Sequence, residues 1–122
     1  MLSSAPRRLG VLLVALCLFL VAPAVAQASW GSIAIDPETG SVGTSTGKNT
    51  AAAAKRAAKN DCGDKHCKSA VWVFNGWGAT VQKKSGLYVS AIGTTRAKAI
   101  SNARQRAHEK APLIATVFAG LS

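Results

Sequence analysis

The sequence predicts an α+β domain: a β-β-α-β unit written twice, giving about six strands and two helices that share one core. Three observations lead there. Trp30-Gly31 recurs as Trp77-Gly78, Gly47 recurs as Gly93, and Val73-Phe74-Asn75-Gly76 recurs as Val117-Phe118-Ala119-Gly120, all in the same order. Between these landmarks each copy carries a short alternating run, a turn, a second run and an alanine-rich basic stretch. A unit of about 45 residues cannot bury both a sheet face and a helix face alone, whereas two copies can close one core between them. The organisation is a leader over residues 1–28 and a single domain over 29–122, made of pseudo-repeats 30–76 and 77–120.

In the first copy Ile33 and Ile35 point to one side of a short strand, with Ser32, Ala34 and Asp36 on the other. Asp-Pro-Glu-Thr-Gly (36–40) is a turn, with Pro37 at its first central position and Gly40 at its exit. Ser41 to Thr46 is a second strand, broken by Gly47. Asn49 or Thr50 caps a helix whose inner face is Ala53, Ala54 and Ala57 and whose outer face is Lys55, Arg56 and Lys59. A cysteine loop and the strand Ala70 to Phe74 follow, with Trp72 facing away from Val71 and Val73.

The second copy repeats the order. Gly78 to Gln82 and Leu87 to Ile92 are strands around a Lys-Lys-Ser-Gly turn. Thr94 or Thr95 caps a helix with an inner stripe of Ala99, Ile100, Ala103 and Ala107, which Pro112 stops before the closing strand Leu113 to Phe118. Small alanines let both helices sit close to the sheet, against Ile33, Ile35, Val71, Val73, Leu87, Val89, Leu113 and Val117. Trp30 and Trp77 hold equivalent places and read as plugs at strand starts.

Residues 1–28 have the make-up of an export signal: Arg7 and Arg8, an apolar stretch from Leu9 to Val21 too short to span a bilayer, and Ala26-Gln27-Ala28 as a cleavage site before Ser29. The exported chain then carries no membrane-spanning segment and ends in the envelope or outside the cell. Cys17 leaves with the leader. Loss of Arg7 and Arg8 takes the net charge from +10 to +8, with Asp36, Glu38, Asp61, Asp64 and Glu109 as the acids. Such a surface favours anionic partners: an anionic cell-envelope polymer, an acidic lipid surface or an acidic protein. Nucleic acid ranks below these for an exported chain without an RNA-binding signature. The competing reading is a solvated basic surface that keeps the protein in solution.

Cys62 and Cys67 meet an oxidising compartment after export, which favours a disulfide over a metal site made from Cys62, Asp64, His66 and Cys67. No cofactor is expected. Catalytic patterns are poorly matched. Gly47-Lys48 is followed by Asn49 and fails the phosphate-loop pattern. His66 and His108 have no serine or cysteine motif around them, and no spacing supports Asp36 with Glu109 as a carboxylate pair. The candidate anion-binding set is Lys55, Arg56 and Lys59 on the first helix, with Lys83, Lys84 and Tyr88 at the second hairpin.

Trp-Gly-Ser-Ile-Ala-Ile-Asp-Pro-Glu-Thr-Gly (30–40), the glycine-rich second strand, Asn49 to Gly63 with the following Cys67, and Ser69 to Gly76 resemble domain of unknown function 4189, found in small exported bacterial proteins. The resemblance runs from Trp30 to about Gly120 and implies export and a two-part α/β fold, with no established enzymatic activity. Other members often carry further cysteines after the second helix; His108 to Phe118 has none. The functional expectation is an exported, non-catalytic basic domain that binds an anionic or protein partner outside the cytoplasmic membrane, a secreted effector among the roles that fit. A small hydrolase with a dispersed site and an inhibitor or immunity-type protein are the alternatives.

Overall fold

A computed structural model describes residues 29–120. The leader lies outside the described residues. The elements are β1 (Trp30–Ile35), β2 (Val42–Lys48), α1 (Ala51–Cys62), β3 (Lys68–Phe74), β4 (Gly76–Gln82), β5 (Tyr88–Gly93), α2 (Arg96–Ala107) and β6 (Leu113–Ala119).

Each copy makes its own antiparallel sheet with its first strand in the middle, ordered β2-β1-β3 and β5-β4-β6. The two sheets pack face to face, and each helix covers the outer face of its own sheet, so the layers run α1, sheet, sheet, α2. The six strands and two helices of an α+β fold are as expected, and the duplication extends to strand order.

The core is distributed differently from the expectation. Ile33, Ile35, Val71, Val73 and Val117 fill the space between the sheets and do not pack under the helices. The helices rest on small residues instead. Ala34 meets Ala58 and the Cys62–Cys67 bridge, while Ala79, Val81 and Ala91 meet Ala99, Ala103 and Ala107. The reason is economy of space. Branched side chains fit the wide sheet-to-sheet gap, and alanine on alanine lets a helix approach a strand closely. Leu87, expected in the core, is 62% exposed at the β4–β5 turn.

The Trp-Gly pair now has a physical meaning. Trp30 packs on Phe74 with ring centroids 5.0 Å apart at 41°, and Trp77 packs on Phe118 at 4.9 Å and 40°. The glycine after each tryptophan faces the opposing sheet. A Cβ on Gly31 would stand 3.2 Å from the Ala119 Cβ, and one on Gly78 3.3 Å from a Val71 methyl. Gly47 and Gly93 match only approximately. Gly47 lies in an irregular stretch of β2 with φ +69°, whereas Gly93 ends β5 beneath the first turn of α2.

Thr50 and Thr95 are the N-caps, their side-chain oxygens accepting from Ala53 N and Lys98 N at 3.1 Å. The buried line of α1 is Ala54, Ala58 and Cys62, with Ala53 and Ala57 half-buried at its side. Gly63 (φ 82°) ends α1, and His108 (φ 57°) ends α2 well before Pro112. Cys62 and Cys67 are joined by a disulfide that closes the loop after α1; in the chain-entropy account so short a loop contributes roughly 2 kcal/mol.

Candidate functional site

Among the described residues a large open depression runs beside β5 and α2. It encloses about 650 Å³ and is lined by Ala91, Ile92, Asn102, Gln105, Arg106 and His108. It meets a second depression of about 260 Å³, formed where β3 of one sheet passes β5 of the other, with Trp72 and Ser90 on its walls and Ala91, Ile92 and Arg106 in common. Together they make one groove along the edge of the sandwich.

The groove follows from the fold. β5 is an edge strand, and α2 crosses behind it. Asn102 and Arg106, one helical turn apart, reach over the edge: Asn102 Nδ2 donates to the Ile92 carbonyl at 2.9 Å, and an Arg106 guanidinium nitrogen donates to the Ser90 carbonyl at 3.0 Å. These bonds satisfy carbonyls that an edge strand leaves open. They also hold a guanidinium over the groove. Ile92 is 55% exposed and Trp72 46% exposed, so the walls are apolar as well as cationic. The Lys55 ammonium lies 4.4 Å from the centre of the Trp72 ring, which places a further cation behind that wall.

Among the described residues no carboxylate lines either depression. Glu109, next to His108 in sequence, is turned to the β4–β5 turn, where it accepts from the Lys84 amide at 3.1 Å. Asp36 is buried and folded into its own turn, its Oδ1 accepting from the Glu38 amide at 2.9 Å. Asp36 and Glu109, the carboxylates weighed as a pair in the sequence, are both engaged in turns. Asp36, Asp64 and Cys67 bring potential ligand atoms within 4.8 Å of one another, but the Cys67 sulfur is bonded to Cys62.

The structure redistributes the residues named from the sequence. Arg56 and Lys59 project from α1 into solvent, but Lys55 is half-buried and held over Trp72. Lys84 is exposed and Lys83 half-buried at the β4–β5 turn. That turn belongs to one sheet and α1 covers the other, so the two lysine clusters sit on different layers. Tyr88 packs against the cluster between the sheets, its hydroxyl 3.9 Å from where a Cβ on Gly40 would stand. It lines a separate depression with Ile35, Pro37, Lys68, Ala70 and Leu87. None of the sequence-derived set lines the groove; Lys55 lies against Trp72, one of its walls. The sequence reading does not include Asn102, Ile92 or Arg106 as site residues; the available signal is an amide and a guanidinium at i, i+4 on the helix that follows β5.

A family model, domain of unknown function DUF4189, matches residues 30–115. The chain belongs to the DUF4189 family. The match takes in both Trp-Gly pairs, both helices and the groove-lining residues of β3, β5 and α2. No curated protein is similar in sequence. Among solved structures this DUF4189 chain is similar to the NMR structure of Rv1813c from Mycobacterium tuberculosis, with 28% identity, a TM-score of 0.58, and 80% of this chain and 78% of that chain covered.

Proposed function

We propose that this protein is an exported, non-catalytic binding domain whose edge groove receives an anionic partner outside the cytoplasmic membrane. The observation that carries the reading is the groove itself: Arg106 and His108 with the amides of Asn102 and Gln105, apolar walls from Ile92 and Trp72, and no carboxylate among the described lining residues. A guanidinium fixed by one bond to a backbone carbonyl keeps further N–H groups for a carboxylate or phosphate. The exposed apolar walls give a ligand contact area that cations alone do not provide. The overall positive charge supports the same sign of partner.

Export rests on Arg7 and Arg8, the apolar stretch and Ala26-Gln27-Ala28. A disulfide between Cys62 and Cys67 is compatible with an oxidising compartment. No described helix is long and apolar enough to cross a membrane.

Retention on an immobilised polyanion at low and high salt tests the binding reading. The double variant Arg106→Gln, His108→Gln loses retention, and Lys83→Gln, Lys84→Gln keeps it. Equal retention of both variants contradicts the groove as the site.

A further inference from the structure

The four sheet edges are not treated alike. On β2 the Thr44 amide is held by the Asp61 carboxylate of α1 at 2.9 Å. On β5 the Ser90 and Ile92 carbonyls are held by Arg106 and Asn102 of α2. Both outer hairpin strands are thus latched by their own helix. β3 and β6 are also edge strands, and no helix side chain bonds to either among the described residues.

β3 is the more exposed of the two open edges. Beyond Lys68 it reads Ser-Ala-Val-Trp-Val-Phe, with no charge, proline or glycine, and Trp72 and Phe74 are about half exposed on one face. Edge strands of that composition pair with other chains unless they are blunted or covered. β3 borders the groove, so an additional strand would run beside Val71 and Trp72 with Ile92 and Arg106 on one side of it and Lys55 near the other. The charged groups there are cations. That excludes a second copy of this basic chain as the natural occupant and favours an acidic one.

We infer that β3 receives an extended acidic peptide segment of a partner protein as a fourth strand of its sheet. This inference rests on the anionic reading of the groove and specifies its ligand. Backbone hydrogen bonds to β3 give register; one face of the added strand meets Trp72 and Lys55, the other meets Ile92 and Arg106, and acidic side chains on either face meet a cation.

The test uses the purified protein and a blocked decapeptide of alternating Thr and Glu, its fully N-methylated counterpart, its Lys counterpart, and heparin as a polysaccharide probe. Binding is read by fluorescence, and amide hydrogen exchange is read across Lys68–Phe74. The Thr-Glu peptide binds and slows exchange in β3, N-methylation weakens it by about tenfold or more because several backbone bonds are lost together, and the Lys peptide fails. Trp72→Thr, which copies Thr116 of the second half, weakens binding while leaving the unfolding midpoint near that of the parent protein. Equal binding of the N-methylated peptide, heparin binding without any binding of the Thr-Glu peptide, or self-association through β3 overturns strand addition while the anionic groove stands. Failure of every anionic probe overturns both.

Discussion

Asp61 and Arg106 occupy the same position in the two helices, each the eleventh residue after its threonine N-cap, and each holds the same position of its edge strand with opposite charge. Asp61 accepts the Thr44 amide and Arg106 donates to the Ser90 carbonyl. Thr44 and Ser90 pair with Ile33 and Thr80, each the third residue after its Trp. A strand residue turned outward offers both an N–H and a C=O at its edge. The first copy binds the donor and the second binds the acceptor. The second copy thus carries a cation where the first carries an acid, and Arg106 lines both depressions of the groove.

Asp61→Ala removes that latch. The Thr44 amide then exchanges faster, by about two- to tenfold, the range expected for one net hydrogen bond of about 0.5–1.5 kcal/mol. Residue-resolved hydrogen exchange measures it. Unchanged exchange at Thr44 with a native fold shows that the carboxylate does not hold the strand.

Gly43→Ala is a severe substitution. An added Cβ would fall on the Ala58 carbonyl and on the backbone of Cys62, neither of which can rotate aside. Gly93→Ala meets Ala99 N at 2.5 Å and is the milder of the two. Overpacking of this kind costs about 1–3 kcal/mol or more. Urea midpoints of the two variants check the order, and a neutral Gly43→Ala contradicts the close seating of α1 on β2.

Much of this architecture is legible in the residues. The period-two run Ser32 to Asp36, the threonine caps and the repeated Trp-Gly pair define the two copies, and the Phe74 and Phe118 partners come with them. What is not legible is which face of each sheet meets which layer. Ile33 offers the same apolar surface to a helix or to a second sheet, and alanines on α1 are too small to announce which line is buried, so Ala58 and Cys62 displaced Ala53 and Ala57. The groove was hidden for a related reason. Trp72 and Arg106 are far apart in sequence, and only the stacking of β3 over β5 brings them to one depression. The Cys62–Cys67 pair, by contrast, is legible from its short spacing and the export-like leader in the sequence.

Asp64 provides a pH prediction. Hydrogen bonds from the Ser41 and Thr39 side chains, with a smaller contribution from nearby His66, hold its carboxyl below the ordinary value of 3.8. A carboxyl lowered on folding stabilises the native state fully above its unfolded pKa, and that contribution disappears as pH falls through the lower folded value. The tie between the β1–β2 turn and the cysteine loop therefore weakens only below about pH 3.8. NMR titration of the side-chain carboxyl checks this. Ser41→Ala and Thr39→Val each raise the Asp64 pKa toward 3.8, and an unmoved titration in both contradicts the assignment.

The most direct measurement of the anionic groove is a backbone and indole chemical-shift titration of the protein with polyglutamate, at low and at high salt. The account predicts shifts at the Trp72 indole, Ile92, Arg106 and His108 that saturate at low salt. They fade at high salt, because charges that remain open to solvent are screened over about 8 Å at physiological ionic strength. Shifts confined to Arg56 and Lys59 or to Lys83 and Lys84, or shifts indifferent to salt, would contradict it.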